Sequence, residues 1–283
     1  MSFSASWLAL REPYDHAARA AALTGKLRDF LAARAGGHLR FLDLACGLGS
    51  TFRYLAPRLG GAQHWTMVDN DEDLLASLAR LPSQAKRTLD GQATVEAVRL
   101  DLAGELDSLP MHRVDVVTAS ALLDLVSGEW LDRLVTAVGA TRPALLLALI
   151  YDGSMQWEPV LAEDRWVTDL FNRHQRTDKG FGPALGDTAA QAATRRLRAA
   201  GFSVTQAQSP WLLDTGDGAV QREVASGVAG AVSALLADVA DVADGATRAR
   251  RWLEQRVALV DAGRSSLRVG HTDLLALPLS AGG

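Results

Sequence analysis

Cysteine is almost absent from this chain. The single thiol, Cys46, has no partner for an intramolecular disulfide, so nothing in the sequence requires an oxidising compartment. The six histidines are scattered, and no Cys/His cluster has metal-ligand spacing, so no metal site is expected. A surplus of basic charge is also missing. Against 29 Lys and Arg stand 33 Asp and Glu, a formal net charge of −4, whereas nucleic-acid binding relies on cations facing phosphates. Long hydrophobic runs are lacking too. The longest uninterrupted one, Ala144 to Tyr151, is far too short to cross a bilayer as a helix. The first residues carry no basic stretch followed by a long apolar core, so no signal peptide is expected and the chain reads as cytoplasmic. Arg248, Arg250, Arg251 and Arg256 form a local basic group whose spacing suits the solvated side of a helix.

What is present is a core-forming composition, 48% apolar and 22% charged over 283 residues, enough for one large α/β domain with insertions. Ala17 to Ala35 reads as a helix stopped at Gly36-Gly37. Short apolar runs then alternate with helical periodicity. Strands are expected at Arg40–Ala45, His64–Val68, Val95–Leu100, Val114–Ala119 and Ala144–Ile150. Helices are expected at Thr51–Leu59, Glu72–Leu81 and Glu129–Val138. Such alternation predicts a mostly parallel sheet of about seven strands with helices on both faces, a Rossmann-like three-layer sandwich with helical insertions. Beyond Ile150 the regularity breaks. Gly153 to Gly186 is weakly periodic and reads as a lid or binding loop, in which Trp157, Trp166 and Phe171 either line a pocket or pack in a core. Thr188–Ala200 is helical and a strand follows from Gly201 to Gln208. Two helices, Ala219–Val242 and Ala246–Val260, are separated near Gly245, and His271–Leu277 is a last strand.

The segment Asp43-Leu44-Ala45-Cys46-Gly47-Leu48-Gly49 joins the first strand to a helix. Glycines at such a turn let backbone approach a ligand closely. Asp69 ends the second strand, where an acid can accept hydrogen bonds from both hydroxyls of a ribose. Asp101 ends the third, placed for an exocyclic amine such as that of adenine. In a parallel sheet the strand ends share one edge, so Asp43, Asp69 and Asp101 converge on one crevice. A third glycine or alanine, needed for pressing a helix against a dinucleotide pyrophosphate, is replaced by Phe52, which weighs against an NAD-dependent oxidoreductase. No Gly-x-x-x-x-Gly-Lys-Ser/Thr loop is present for a nucleoside triphosphate.

On Phe41-Leu42-Asp43-Leu44-Ala45-Cys46-Gly47-Leu48-Gly49, Val68-Asp69 and Leu100-Asp101-Leu102 the chain resembles the class I S-adenosylmethionine-dependent methyltransferases, over roughly residues 38 to 152. The resemblance implies S-adenosylmethionine as cofactor and S-adenosylhomocysteine as its product. It places Gly47 and Gly49 under the methionine part, with Asp43 near its ammonium through water or backbone, and counts Ala45 and Cys46 among the cofactor-binding residues. Asp69 and Asn70 fall at the ribose, Asp101 and Leu102 at the adenine, and Ser120 between cofactor and acceptor. Ala45 and Leu48 depart from the family's usual glycine and small or hydroxyl residue. The implied organisation is a single domain: an N-terminal helical lid (1–37), a cofactor-binding core (38–152), and acceptor-side insertions (153–186 and 211–265). Acid–base candidates are Tyr14, Asp124 and His174. The family's Asn/Asp-Pro-Pro-Tyr/Phe motif for nucleic-acid bases is replaced by Ser120-Ala121-Leu122-Leu123. A small-molecule acceptor is therefore expected, with neither nucleic acid nor membrane as partner. A cofactor-binding protein without transferase activity is the other reading of the same residues.

Overall fold

Each half-turn of a strand sends successive side chains to opposite faces, and the first strand uses both. In β1 (Leu39–Leu44), Leu42 and Leu44 enter one core, while Phe41 enters the other and stacks on Trp65 at 4.1 Å between ring centres. A strand buried on both faces must be covered by helices on both, and the computed structural model, which describes residues 3–33, 37–78, 80, 88, 91–237 and 242–279, has that layering.

The remaining strands are β2 (Gln63–Asp69), β3 (Ala93–Arg99), β4 (Val116–Ser120), β5 (Ala144–Glu158), β6 (Phe202–Gln208), β7 (Trp211–Leu213) and β8 (Ser266–Pro278). They form one sheet in the order β3-β2-β1-β4-β5-β8-β6, with β7 on the outer half of β8. The pairs from β3 to β5 are parallel, and β8 runs antiparallel to β5, β6 and β7. The helices are α1 (Ala5–Ala18), α2 (Ala21–Ala32), α3 (Ser50–Leu55), α4 (Glu72–Leu78), α5 (Gly128–Thr141), α6 (Asp164–Gln175), α7 (Ala189–Ala199), α8 (Gly218–Ala237) and α9 (Val242–Asp261). Side chains of α5 and α7 fill the core on one face of the sheet, and those of α2, α3 and α4 fill the other.

A third core lies where β5, β7 and β8 run past the parallel sheet and are covered by α6, α8 and α9. Here several expectations are corrected. β5 does not stop at Ile150 but continues through Glu158, because β8 pairs with it along its length across two irregularities of register. Residues 164–175 form a helix rather than loop, burying Val167 and Leu170. Trp157 is buried in the third core, with Trp166 and Phe171 packed against it, so the three aromatics are core rather than pocket wall. Arg256 does not face solvent. It is fully buried, and its Nη2 donates to both Asp164 oxygens at 2.6 and 2.7 Å. Gly245 lies inside α9 rather than between helices. A Cβ there would sit 2.9 Å from Leu236 of α8, so the glycine lets the two helices approach.

The helix expected from Ala17 is two helices, broken at Arg19, whose backbone is extended. The break is held by Ala20 N–H donating to buried Asp273. α3 gives way to a short 3₁₀ turn over Ala56–Arg58. The Gly36 stop and the stretch 238–241 after α8 lie outside the described residues, as does the end of the helix expected to reach Leu81. Among the described residues no helix is long and apolar enough to cross a membrane.

Candidate functional site

The strand order sets β3, β2, β1 and β4 side by side with their carboxyl ends on one edge. That edge opens into a cavity of ≈ 320 Å³, within the range of small-molecule sites at roughly 300–1,000 Å³. The turn after β1 forms its floor. Ala45, Gly47 and Gly49 all have left-handed backbone, with φ of 51°, 52° and 82°. Gly49 has a packing reason to be glycine: a Cβ would stand 2.7 Å from Leu78 Cδ2. At Gly47 a Cβ would press on Leu8 of α1 at 3.2 Å.

Asp69, at the end of β2, lines the cavity and also shapes the loop. Its Oδ2 accepts from Gly47 N–H at 2.8 Å and its Oδ1 from Asp71 N–H at 3.1 Å. Asp101 lines the cavity beyond β3, its Oδ1 accepting from Ala103 N–H. Ala45, Cys46, Asn70, Leu102 and Ser120 are on the wall as well. Asp43 is not. It is completely buried beneath the floor, where Oδ1 accepts from Thr118 Oγ1 at 2.6 Å and Oδ2 has no partner among the described residues. Burial pushes its pKa up to about 7, with Asp69 adding to the rise while the Thr118 hydrogen bond and the charge of Arg19 oppose it. Burial and the same two acids also keep the Cys46 thiol protonated, so it offers an inert sulfur.

The roof is α1, which contributes Leu8, Arg11, Glu12 and Asp15. It is stapled to the glycine turn. Glu12 pairs with Arg53 of α3, whose Nη1 donates to Leu48 O at 2.5 Å, and His16 Nε2 meets Ser50 O at 3.0 Å. Arg11 is held by a two-pronged contact to Asp15 at 2.9 and 3.0 Å and lies over the Trp211 ring at 4.8 Å. The side wall is Leu122, Leu125 and a stretch of the 153–186 segment, Lys179-Gly180-Phe181. Phe181 meets Trp130 edge-on, and Trp130 Nε1 donates to Leu102 O at 2.6 Å, linking this stretch to the β3 end.

The three acid–base candidates do not meet on the cavity wall. Asp124 is buried behind Leu122 and Leu125. Burial raises its pKa to about 6 against the pull of backbone N–H groups and Arg11, and its Oδ1 has no partner. His174, near the end of α6, is one step removed from the cavity, its ring 3.2 Å from Lys179 Nζ. Burial, then Lys179, lowers its pKa, so it is neutral near pH 7. Tyr14 faces away from the cavity and donates to Asp217 Oδ1 at 2.8 Å. Burial and that carboxylate push its pKa up to about 12.

The sequence reading passed over Arg11 and Asp15 on the cavity wall and the buried His271 away from it. Arg11 and Asp15 stand four apart on α1, in the stretch read as a lid carrying Tyr14, and that spacing is legible as an ion pair. His271, paired across the sheet with Tyr151, is buried with Nδ1 unpartnered. Burial and Arg11 bring its pKa down to about 3. Nothing in its local sequence signals this. Among the described residues no group of His, Cys, Asp and Glu could hold a metal ion.

Residues 41–141, which span β1 to α5, match the family described as methyltransferase domain. No curated protein matches the chain by sequence. Among solved structures the chain is similar in fold to a cyclopropane-fatty-acyl-phospholipid synthase-like protein from Lactobacillus casei, at 17% identity and a TM-score of 0.53, covering 95% of this chain and 92% of that one. A weaker likeness, TM-score 0.44 at 16% identity, is to an S-adenosylmethionine-dependent methyltransferase from Thiobacillus denitrificans in complex with S-adenosylhomocysteine, covering 98% and 100% of the two chains. The matched stretch lies on the strand ends that build the cavity, so this part of the chain is similar to a methyltransferase domain.

Proposed function

We propose that the chain methylates a small molecule that enters beside Leu122, Leu125 and Phe181. The observation that carries this reading is the cavity itself, polar at the ends of β2 and β3, apolar along its side wall, and roofed by α1. The bound cofactor supplies the activated methyl carbon; the protein supplies alignment and a site from which water is excluded.

Asp69 holds the ribose hydroxyls, oriented by the Gly47 and Asp71 N–H groups that already fix its carboxylate, and Asn70 lies beside it. Asp101 accepts from the adenine amine, with Leu102 beneath the ring. Ala45, Cys46, Gly47 and Gly49 carry the methionine part on backbone alone, and Ser120 stands between cofactor and acceptor. Asp43 acts from below: with Arg19 it sets the field under the glycine turn rather than touching the ligand. The helices of 1–37 serve as the roof, 38–152 as the cofactor-binding core, and 153–186 as the acceptor side.

Asp124 and His174 serve as positioning groups, one behind the apolar wall and the other behind Lys179. Tyr14 anchors α1 through Asp217 and takes no part in proton transfer, since a hydroxyl with its pKa near 12 is a poor base at pH 7.

The test is S-adenosylhomocysteine release from S-adenosylmethionine with panels of small organic acids, amines and phenols, beside duplex DNA, RNA and unfolded protein. Turnover is expected with a member of the small-molecule panels and is lost in Asp69→Ala. Turnover on nucleic acid or protein alone contradicts the proposal.

A further inference from the structure

Among the described residues two cationic side chains line the cavity, Arg11 and Lys179, and they differ in their partners. Arg11 is neutralised by Asp15. Lys179 is 6% exposed and, among the described residues, has no carboxylate partner. An ammonium taken out of water without a counter-charge is costly, and burial accordingly lowers its pKa.

The contacts of Lys179 Nζ are to uncharged acceptors, none of them a carboxylate. The His174 carbonyl accepts at 2.8 Å and Thr177 Oγ1 at 3.0 Å. The third neighbour, the His174 ring, lies with Nδ1 at 3.2 Å and Nε2 at 3.5 Å. The ring is the longest of the three contacts, and all three leave the charge of the ammonium without an anion beside it. The loop that presents the lysine is firmly built. Asp178 Oδ1 accepts from Gly180 N–H and Gly182 N–H at 2.7 and 3.0 Å, and both glycines have left-handed backbone.

We propose that Lys179 recognises an anionic group, a carboxylate or a phosphate, on the methyl acceptor. This rests on the small-molecule methyltransferase reading above and narrows its substrate class. The lysine lies on the same short stretch as Phe181, on the apolar side wall, whereas the glycine turn has its own buried cation in Arg19, whose Nη2 donates to Thr51 Oγ1. An acceptor with an apolar body and one anionic group matches both features of that wall.

The test uses the full chain saturated with S-adenosylhomocysteine and titrated calorimetrically with benzoate, phenyl phosphate and neutral benzamide at constant ionic strength. At least one of the two anions should bind roughly tenfold more tightly than benzamide, the scale of one charge-assisted hydrogen bond. Lys179→Gln should abolish that preference and Lys179→Arg should keep most of it, with S-adenosylhomocysteine affinity unchanged in both. Equal binding of benzoate, phenyl phosphate and benzamide by the wild-type chain, or no binding of any, overturns the proposal without need of a variant. An unchanged anion preference in Lys179→Gln also overturns it. If Lys179→Gln instead loses S-adenosylhomocysteine and keeps 5′-methylthioadenosine, which lacks the carboxylate, the lysine serves the cofactor and the proposal fails. A wild-type chain that binds no S-adenosylhomocysteine overturns the methyltransferase reading itself, which separates the two failures.

Discussion

A carboxylate can both recognise a ligand and hold the loop under it, and Asp69 is placed to do both. Its Oδ2 fixes Gly47, so Asp69→Ala removes a ligand acceptor and frees the glycine turn together. Calorimetry should show S-adenosylhomocysteine affinity falling at least about tenfold, since hydrogen bonds to a charged group contribute about 1.5–3 kcal/mol each. Asp43 is the opposite case, a carboxyl with no access to the cavity. Its folded pKa of about 7 is raised above the unfolded value, so between roughly pH 4 and 7 the folded state keeps a proton that the unfolded state has released. Its contribution to stability is therefore full below that window and is lost as pH rises through it. Asp43→Asn keeps an oxygen for Thr118 and removes the titration. The variant's melting temperature relative to wild type should rise from pH 5 to pH 8; a difference independent of pH would contradict the burial argument.

At the scale of elements, the turn after β1 and the packing of α6 on α9 make separate predictions. Gly49→Ala forces a Cβ against Leu78 at 2.7 Å in a left-handed backbone that alone costs roughly 1–2 kcal/mol. Thermal melts should show a loss of that order or more, together with weaker cofactor binding. Asp164→Asn leaves the fully buried Arg256 without its counter-charge and should destabilise the chain by roughly 3–5 kcal/mol in urea unfolding, with cofactor affinity retained if unfolding is not complete.

These two sites also mark what was legible in the sequence. The five parallel strands and their helices could be read because short apolar runs alternate with helical periodicity, and β2 and β3 are closed by acids, a strictly local signal. The ends of β1, β2 and β3 came with them, and so did Asp69 and Asp101 on the cavity wall. The second half of β5 could not be read, because Asp152-Gly153-Ser154 is polar and falls in a register irregularity, and residues 155–158 owe their strand character to pairing with β8 more than a hundred residues later. α6 was hidden by its polar residues although Trp166, Val167, Leu170 and Phe171 share one side. Arg256 reads as a surface cation until Asp164, on another helix, is brought against it. The fate of Asp43 was likewise invisible, since a strand-end acid can project into the crevice or under it, and only Thr118 and the packing of β4 decide.

The molecule as a whole combines a parallel half whose strand ends line the cavity with an antiparallel ribbon, β5-β8-β7, carrying a third core of its own. α1 joins the two. It staples to the glycine turn through Glu12 and Arg53, and to β7 through Trp211 Nε1, which donates to Asp15 Oδ1 at 3.0 Å. A roof fixed at both ends ties cofactor binding to global stability, so saturating S-adenosylhomocysteine should raise the melting temperature of the whole chain in a single transition. The most direct measurement of the central claim is a calorimetric titration of the wild-type chain and Asp69→Ala with S-adenosylhomocysteine and, separately, NAD. The expected result is one S-adenosylhomocysteine per wild-type chain, at least about tenfold weaker binding in the variant, and no heat from NAD. Binding of NAD but not S-adenosylhomocysteine, or an affinity unmoved by the loss of Asp69, would contradict it.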